Sequence, residues 1–336
     1  MTSLPARSAA AWLGLALALA VLVYWVGLSG PLLLDDAVNL ARLRDWQAGQ
    51  ATFLDAIRSG SGMFGRPAAM ATLALSAALG GFSPFAFKLG NLLTHLVCGV
   101  FIYFLTRRIA GRDPGLARRA PAVGLAVAAL WLLHPLHAST VLYVVQRMAQ
   151  VSALTVLGGM WLYMAAREAL ARRPSAGPVI ALFAGIPLLT LVAFLAKENG
   201  VLLPLLCLVL EIGCFQAHPR AIKGFFGLTL LLPLAVGAVL FALHPARLLG
   251  GYVRRDFDWQ ERLLSQARAL CDYLAQIAVP NPSRMGIYTD DFPVSTGLLS
   301  PPSTLLALLL LAGITVAAWR LRRRLPFLFV GWGIFL

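Results

Sequence analysis

The stretch VIALFAGIPLLTLVAFLAKENG, from Val179 to Gly200, decides what kind of protein this is. From Val179 to Leu195 it contains no charged residue and is rich in leucine, alanine, valine and phenylalanine. A helix needs about 20 apolar residues to cross the hydrocarbon core of a bilayer. The run then ends at three consecutive polar residues that begin with Lys197. The stretch therefore predicts a transmembrane helix followed by a polar turn.

The whole chain has the composition of a protein that is embedded in a lipid bilayer. Of its 336 residues, 59% are hydrophobic and 12% are charged, and soluble globular domains carry roughly twice that charged fraction. Basic residues outnumber acidic ones by 28 to 14, but they lie in short clusters between apolar runs, so they indicate membrane orientation and no nucleic-acid partner. The four cysteines show no CxxC spacing and indicate neither a disulfide nor a zinc site.

Apolar runs predict an all-α, polytopic membrane helical bundle of about nine transmembrane helices in a single domain, residues 1–336. The first run follows Arg7 and is expected to be a retained signal anchor. The ninth is cut off by the end of the chain, so the chain is expected to be truncated or to lack a C-terminal region. The predicted spans are Ala11–Gly30, Phe87–Thr106, Ala120–Leu133, Val141–Ala165, Val179–Leu195, Val201–Phe215, Phe225–Leu243, Thr304–Trp319 and a segment from Pro326.

The basic clusters all fall on the side of the N-terminus, which the positive-inside rule makes the cytoplasm. This requires Ala68–Gly81, which is only about 14 residues long, to be a helix on the membrane surface or half-buried against the bundle and not a span. Two large outer loops then remain, residues 31–86 and 244–302. We expect a bacterial inner-membrane protein whose polar residues face the periplasm.

The first outer loop begins with two adjacent acids, Asp35 and Asp36. Neighbouring carboxylates at a bilayer edge resist ionisation, which suits a general base or a metal ligand. A second interpretation is that they cap a surface helix over Ala37–Gln47. Paired acids permit Mg²⁺ or Mn²⁺ but do not require either, so no cofactor is certain.

The outer turn LHPLHAS places His134 and His137 at the membrane surface, before Gln146 and Arg147. An arginine inside an apolar span is expensive, so Arg147 is expected to face a polar cavity and an anion, or to pair with an acid such as Asp36 or Glu198. Two histidines without a third ligand favour interfacial hydrogen bonding over metal binding.

Two further outer segments carry candidate site residues. Lys197 in the AKENG turn is suited to binding a phosphate, although an ion pair with Glu198 at the surface is the alternative. In the second outer loop, Asp256–Leu274 is predicted to be an amphipathic helix. The turn-rich segment after it contains Tyr288, and such loops often shape binding sites.

The order of these motifs resembles a known family. Asp35-Asp36, Gly65-Arg66-Pro67, the segment Phe87–His95, His134-Pro-Leu-His137, Gln146-Arg147-Met148 and Lys197-Glu198-Asn199-Gly200 follow one another as in the membrane region of the TMTC-type (transmembrane and tetratricopeptide-repeat-containing) O-mannosyltransferases and their bacterial relatives. The resemblance spans nearly the whole chain. This chain, however, has no tetratricopeptide repeats, which leaves its recognition of a protein acceptor open.

The resemblance implies a GT-C glycosyltransferase that moves a sugar from a polyprenyl-phosphate-linked donor to an acceptor hydroxyl, expected to be a protein Ser or Thr, with inversion. Asp35 or Asp36 would act as the base, and Arg147 with Lys197 would bind the donor phosphate. The residues expected to orient the substrates are His134, His137, Gln146, Glu198, Arg66 and Tyr288.

Other functions fit the same sequence. The acceptor could instead be lipid A, a polysaccharide or a lipid-linked glycan. A transporter that only binds a lipid phosphate is an alternative from another class, although transporters usually keep their polar sites near the midplane. A scaffold for envelope assembly is a third, and it would tolerate loss of these charged residues.

Overall fold

A computed structural model describes residues 6–62, 64–173, 175–243, 255–286 and 292–336. This part of the chain is helical and contains no β-strand. It divides into two compact units, Met1–Gln216 and Ala217–Leu336, which are described separately. The helical membrane class predicted from the sequence is confirmed. The single domain over residues 1–336 stays a prediction.

The first unit carries the predicted site. Its helices pack chiefly through α5, which contacts α6 and α8, and through α8, which contacts α10. In chain order they are α1 (Ala6–Trp25), α2 (Asp36–Gln47), α3 (Phe53–Arg58), α4 (Pro67–Gly80), α5 (Pro84–Ala110), α6 (Ala120–Leu132), α7 (His137–Leu142), α8 (Arg147–Arg172), α9 (Ala176–Ile180), α10 (Ile186–Ala196) and α11 (Leu203–Cys214).

The second unit contains the long helix Trp259–Ala278, which confirms the helix predicted over Asp256–Leu274. Asp258 caps it, since its side chain accepts a hydrogen bond from the amide of Glu261. This helix packs on the apolar helix Ser303–Leu321. The other helices among the described residues of the second unit are Arg220–Phe226, Leu232–Leu243 and Pro326–Phe335.

Six helices in the described part are long and apolar enough to cross a membrane: Ser8–Trp25, Pro84–Ala110, Val144–Arg172, Ala176–Ala196, Arg220–Leu243 and Ser303–Leu321. The chain is therefore a helical membrane protein. The helices found for three other predicted spans are shorter, namely Ala120–Leu132, Leu203–Cys214 and Pro326–Phe335. The count of nine spans stays a prediction.

Two of the six long helices contain a π-helical turn directly before a proline. Ala181–Gly185 precedes Pro187, and Gly227–Leu231 precedes Pro233. Proline has no N–H and its ring crowds the carbonyl one turn earlier, so a regular α-helix cannot continue through it. The wider turn accommodates the proline, which lets both helices run long enough to span a bilayer.

The helix predicted over Ala68–Gly81 is present as α4, Pro67–Gly80, and its place at the membrane surface stays a prediction. It buries Met70, Leu73 and Ala77 in a core shared with Leu40 of α2 and Met148 of α8. The neighbouring helices α5, α8 and α10 all contact it. A 14-residue helix with one face packed in this way is half-buried against the bundle, as its length predicted.

Candidate functional site

The two adjacent acids have different surroundings. Asp35 is exposed, whereas Asp36 is 0% exposed. The Asp36 carboxylate accepts hydrogen bonds from the amides of Leu33 at 2.9 Å, Val145 at 2.9 Å and Val144 at 3.4 Å. Burial raises the pKa of Asp36, although these hydrogen bonds and the charge of Lys88 oppose the shift. Asp36 therefore holds the start of α2 against the start of α8, and Asp35 is left facing outward.

Asp35 lies beside the hydroxyl of Tyr143. The amide of Asp35 donates to Tyr143 Oη at 3.2 Å, and the charge of the Asp35 carboxylate also acts on this hydroxyl. Burial and the two nearby acids raise the pKa of Tyr143, so this hydroxyl keeps its proton at neutral pH. The arrangement is an exposed carboxylate on a residue whose backbone amide is held by a buried phenol.

Arg147 does not meet the expectation that it faces a cavity and an anion. It is 3% exposed, and its guanidinium donates to Asn91 Oδ1 at 2.6 Å and to Phe87 O at 2.7 Å, with longer bonds to Thr72 O and Ser76 Oγ. These acceptors are all neutral. The alternative expectation of an ion pair with Asp36 or Glu198 is also wrong, because those carboxylates bond to backbone amides and to Arg66. Arg147 instead joins α4, α5 and α8.

Asn91 bonds both to Arg147 and to the segment between α7 and α8, and we call this region the corner at Arg147. While its Oδ1 accepts from Arg147, its Nδ2 donates to the carbonyls of Val141 and Tyr143, at 3.1 and 3.0 Å. The predicted span Val141–Ala165 is interrupted here, because α7 ends at Leu142 and α8 begins at Arg147. Asn91 and Asp36 satisfy the backbone groups that the interruption leaves without helical partners, which is the condition for a break in a buried helix.

Arg66 and Glu198 form an ion pair between the first loop and the AKENG turn. Arg66 Nη2 lies 2.8 Å from Glu198 Oε2, and Nε lies 3.3 Å from Oε1. Burial would raise the pKa of Glu198, but the Arg66 hydrogen bonds and charge lower it overall. Burial, followed by the charge of Arg66, lowers the pKa of Lys197. In the described part of the chain no side-chain hydrogen bond or ion pair occupies the Lys197 ammonium, so it is available to an anion.

Hydrogen bonds connect the acidic pair to this ion pair. Asn39 Nδ2 donates to Asp35 O at 2.9 Å, and the amide of Ser61 donates to Asn39 Oδ1 at 3.0 Å. Arg66 Nη1 then donates to Ser61 Oγ at 3.2 Å. Residues that are far apart in the chain, from Asp35 to Glu198, therefore belong to one network at the start of α8. We call the residues Asp35, Asn39, Ser61, Arg66, Tyr143, Lys197 and Glu198 the polar cluster.

The backbone is strained at two points of this region. Among the described residues other than glycine, Leu34 and Arg66 have positive φ, at 40° and 50°. Arg66 also precedes Pro67, a position that normally requires an extended conformation. Each such residue costs about 1 to 3 kcal/mol and persists where its surroundings fix it, most often at functional sites. The strain therefore falls directly before Asp35 and on the arginine of the polar cluster.

The predicted histidines lie in an aromatic group. His137 is 4.5 Å from Trp131 and 5.2 Å from a third histidine, His95, between ring centroids. Burial lowers the pKa of His137 to about 3, so this ring is neutral at physiological pH. His134 Nδ1 accepts from the amide of Leu136, which stabilises the turn. These contacts support packing roles for both histidines.

Two predicted residues add nothing further to the geometry. Gln146 is partly exposed, and no side-chain hydrogen bond to the described residues fixes it. Tyr288 lies outside the described residues. The prediction missed Tyr143 as a site residue, and it also missed Asn91, Asn39 and Ser61. A polar side chain in an apolar run was the available signal for Asn91, whereas Asn39 and Ser61 lie in polar segments that gave none.

No group of three or more histidine, cysteine, aspartate or glutamate side chains in the described part of the chain could hold a metal ion. The polar cluster is therefore described by its own charges: one exposed carboxylate, one carboxylate paired with arginine, and one ammonium open to a ligand. No protein-family model, curated protein or solved structure matches the chain.

Proposed function

We propose that the chain is a membrane glycosyltransferase that moves a sugar from a polyprenyl-phosphate-linked donor to an acceptor hydroxyl. The observation that carries the proposal is the polar cluster, in which the backbone carbonyl of Asp35, a residue with an exposed carboxylate, is connected by hydrogen bonds to the turn that carries Lys197. A base such as Asp35 and a cation such as Lys197, which no described acid pairs with, lie at one end of the membrane helical bundle. This arrangement suits the transfer of a group from a lipid phosphate to a hydroxyl.

In the proposed reaction, the acceptor oxygen attacks the anomeric carbon of the donor sugar. The bond from that carbon to the phosphate oxygen breaks, and the electron pair leaves with the lipid phosphate. Asp35 accepts the proton of the acceptor hydroxyl. A single displacement of this kind inverts the configuration at the anomeric carbon. Tyr143, whose hydroxyl accepts a hydrogen bond from the Asp35 amide, is a positioning residue that fixes the backbone from which the carboxylate projects.

Lys197 is proposed to offset the charge that develops on the departing phosphate. Arg66 contributes positive charge beside it and, through its ion pair with Glu198, fixes the turn that carries Lys197. Arg147 is given a different role from the one expected on the sequence. Its N–H groups already donate hydrogen bonds to protein oxygens. Arg147 therefore stabilises the segment that contains Tyr143 and does not bind the sugar donor.

The direction of the helices supports a proposal for the side of the membrane on which the polar cluster lies. α5 and α8 both begin near the polar cluster and end among arginines, Arg107 and Arg108 in α5 and Arg172 in α8. Since arginine-rich ends favour the cytoplasm, we propose that the polar cluster faces the periplasm. The expected acceptor is a protein Ser or Thr, and a polysaccharide or lipid-linked glycan would use the same chemistry.

The test is release of polyprenyl phosphate, which reports transfer whatever the acceptor is. The purified chain in lipid nanodiscs is given polyprenyl-phosphate-linked hexoses and pentoses with a Ser/Thr-rich acceptor peptide or a membrane glycolipid extract. Asp35→Asn should lower the rate by about 10² to 10⁴, the usual contribution of a general base. The matched control is Asp45→Asn, which removes a carboxylate from the helix that follows Asp35; among the described residues this carboxylate pairs with Arg42 alone, at the surface.

Equal rates for wild type and Asp35→Asn would remove Asp35 as the base. Binding of the donors without release of polyprenyl phosphate from any of them would contradict the glycosyltransferase and favour a lipid-phosphate transporter. Measuring movement of the donor between leaflets in proteoliposomes would then distinguish a transporter from a protein that only binds the lipid.

A further inference from the structure

The opposite end of the first unit contains a cavity that the proposed reaction does not use. Its volume is about 550 Å³, and it lies between the last turns of α5 and α8. Arg107 is 16 residues beyond Asn91 in α5, which places the cavity about 24 Å from the corner at Arg147, at the rise of an α-helix. The two sites therefore lie near opposite surfaces of a bilayer.

The cavity is lined by four arginines and one acid, so its net charge is strongly positive. The lining arginines are Arg107, Arg108, Arg112 and Arg172, and the acid is Glu168. Glu168 is engaged by Arg108 and by Arg112, the second at 3.5 Å. Arg107 and Arg172 are exposed, and no hydrogen bond or ion pair to the described residues occupies either guanidinium.

Two aromatic rings complete the lining. The guanidinium of Arg108 lies 5.2 Å from the ring centre of Trp161, which fixes its position by a cation–π contact. Phe104, one turn before Arg107 in α5, is 42% exposed. A tryptophan beside arginines is typical of the membrane interface, and the exposed phenylalanine one turn before Arg107 suits contact with an acyl chain.

We infer that this cavity binds the headgroup of an anionic phospholipid. The free guanidinium groups of Arg107 and Arg172 would bind the phosphate, since arginine donates two parallel hydrogen bonds to phosphate oxygens. The Arg108–Glu168–Arg112 group forms the fixed wall behind them. Basic pockets between membrane helices on the cytoplasmic side attract anionic lipid headgroups in this way. The inference does not depend on the proposed transferase reaction.

The experiment is a titration of the detergent-purified full chain, read by native mass spectrometry. The probes are dioctanoyl phosphatidylglycerol, dioctanoyl phosphatidylcholine and inorganic phosphate. Phosphatidylglycerol should bind, and the two other probes should bind at least tenfold more weakly. Arg107→Gln and Arg172→Gln should each weaken phosphatidylglycerol binding about fivefold, as expected for about one kcal/mol per basic residue near an anionic lipid. Arg172→Lys keeps the charge and should retain most of the affinity.

Arg173→Gln is the matched control, because it removes the neighbouring charge outside the cavity lining and should change nothing. Since the guanidinium groups of Arg107 and Arg172 make no hydrogen bond or ion pair with the described residues, the variants should melt at the wild-type temperature. Unchanged affinity in the double variant would overturn the inference. So would equal binding of phosphatidylcholine, which indicates a general lipid groove, or equal binding of inorganic phosphate, which indicates a soluble anion as ligand.

Discussion

The carboxylate of Asp36 accepts a hydrogen bond of 2.9 Å from the amide of Val145, across 109 positions of the chain. Together with its bonds to Leu33 and Val144, this contact makes Asp36 a connection between the first loop and the start of α8. Asp35, one residue earlier, has none of these bonds. The acidic pair thus combines a structural carboxylate with an exposed one, and the two can be separated by substitution.

Asp36→Asn should lower stability while Asp35→Asn should not. An amide has only one acceptor oxygen, so at least one of the three backbone N–H groups that Asp36 binds loses its partner. An unpaired buried donor costs about 1 to 3 kcal/mol. Thermal unfolding of the detergent-purified protein measures the difference. Equal melting temperatures for the two variants would show that Asp36 does not hold the two segments together.

The stability difference between wild type and Asp36→Asn should depend on pH. Because burial raises the folded-state pKa of Asp36 above 3.8, the folded protein binds this proton more tightly than the unfolded chain. Its contribution to stability is therefore greatest below pH 3.8 and declines as pH rises through the folded-state pKa. Melting temperatures measured from pH 3 to pH 7 should show this decline in wild type relative to Asp36→Asn. A constant difference over the series would contradict it.

Lys197 should set the alkaline limit of donor binding. Its pKa is lowered below 10.5, so its ammonium is lost at a lower pH than that of an ordinary lysine, and attraction for the donor phosphate is lost as pH rises. The KM for the donor should therefore increase on the alkaline side. Lys197→Arg keeps its charge at that pH and should move the increase to higher pH. Lys223→Arg, an exposed control, should leave the profile unchanged, and an unshifted profile in Lys197→Arg would exclude Lys197.

Arg147 and Lys197 should respond in opposite ways to replacement by methionine. Arg147→Met leaves buried oxygens of Asn91 and Phe87 unpaired, so it should lower the melting temperature while the folded fraction still binds polyprenyl phosphate normally. Lys197→Met should leave melting unchanged and weaken polyprenyl phosphate binding. Binding isotherms and melting curves for both variants make the comparison. Weaker binding in a stably folded Arg147→Met protein would restore Arg147 as a phosphate ligand.

Gly62→Ala should impair transfer more than Gly49→Ala. Both glycines have positive φ, at 108° and 73°, so both variants carry backbone strain. A Cβ at Gly49 would meet nothing within 4 Å, whereas one at Gly62 would collide with Glu198 and Arg66. The extra loss in Gly62→Ala therefore measures the Arg66–Glu198 ion pair. Equal transfer rates in the two variants would mean that this pair does not contribute to activity.

The sequence predicted the elements well, because the length of an apolar run reports a helix directly. α4 shows this, since its 14 residues were too few for a span and the helix packs half-buried against the bundle. The bounds were less certain where polar side chains replace helical hydrogen bonds. The apolar run from Val141 appeared continuous in sequence, yet the α-helix is interrupted before Arg147. The interruption is stable because Asn91 and Asp36 supply hydrogen bonds from distant segments.

The site was predicted by residue type and not by partner. An arginine in an apolar span indicates that some hydrogen-bond acceptor lies nearby, but it does not show whether that acceptor is a ligand or a protein oxygen. The acceptors of Arg147 are protein oxygens. The sequence likewise did not show that Asp36 is buried and structural while Asp35 is exposed, because this difference depends on amides more than 100 positions away. The pairing of Arg66 with Glu198 required the folded chain for the same reason.

The 109 positions between Asp36 and Val145 also determine how late in biosynthesis this hydrogen bond can form. At about 5 to 20 residues per second, the ribosome makes Val145 roughly 5 to 20 s after Asp36. Until then the carboxylate lacks the amides of Val144 and Val145, directly before α8, and must stay in water or among headgroups. The corner beside Asp35 consequently forms only after α5 and the start of α8 have both been inserted, so a competent site reports that the first half of the bundle is assembled.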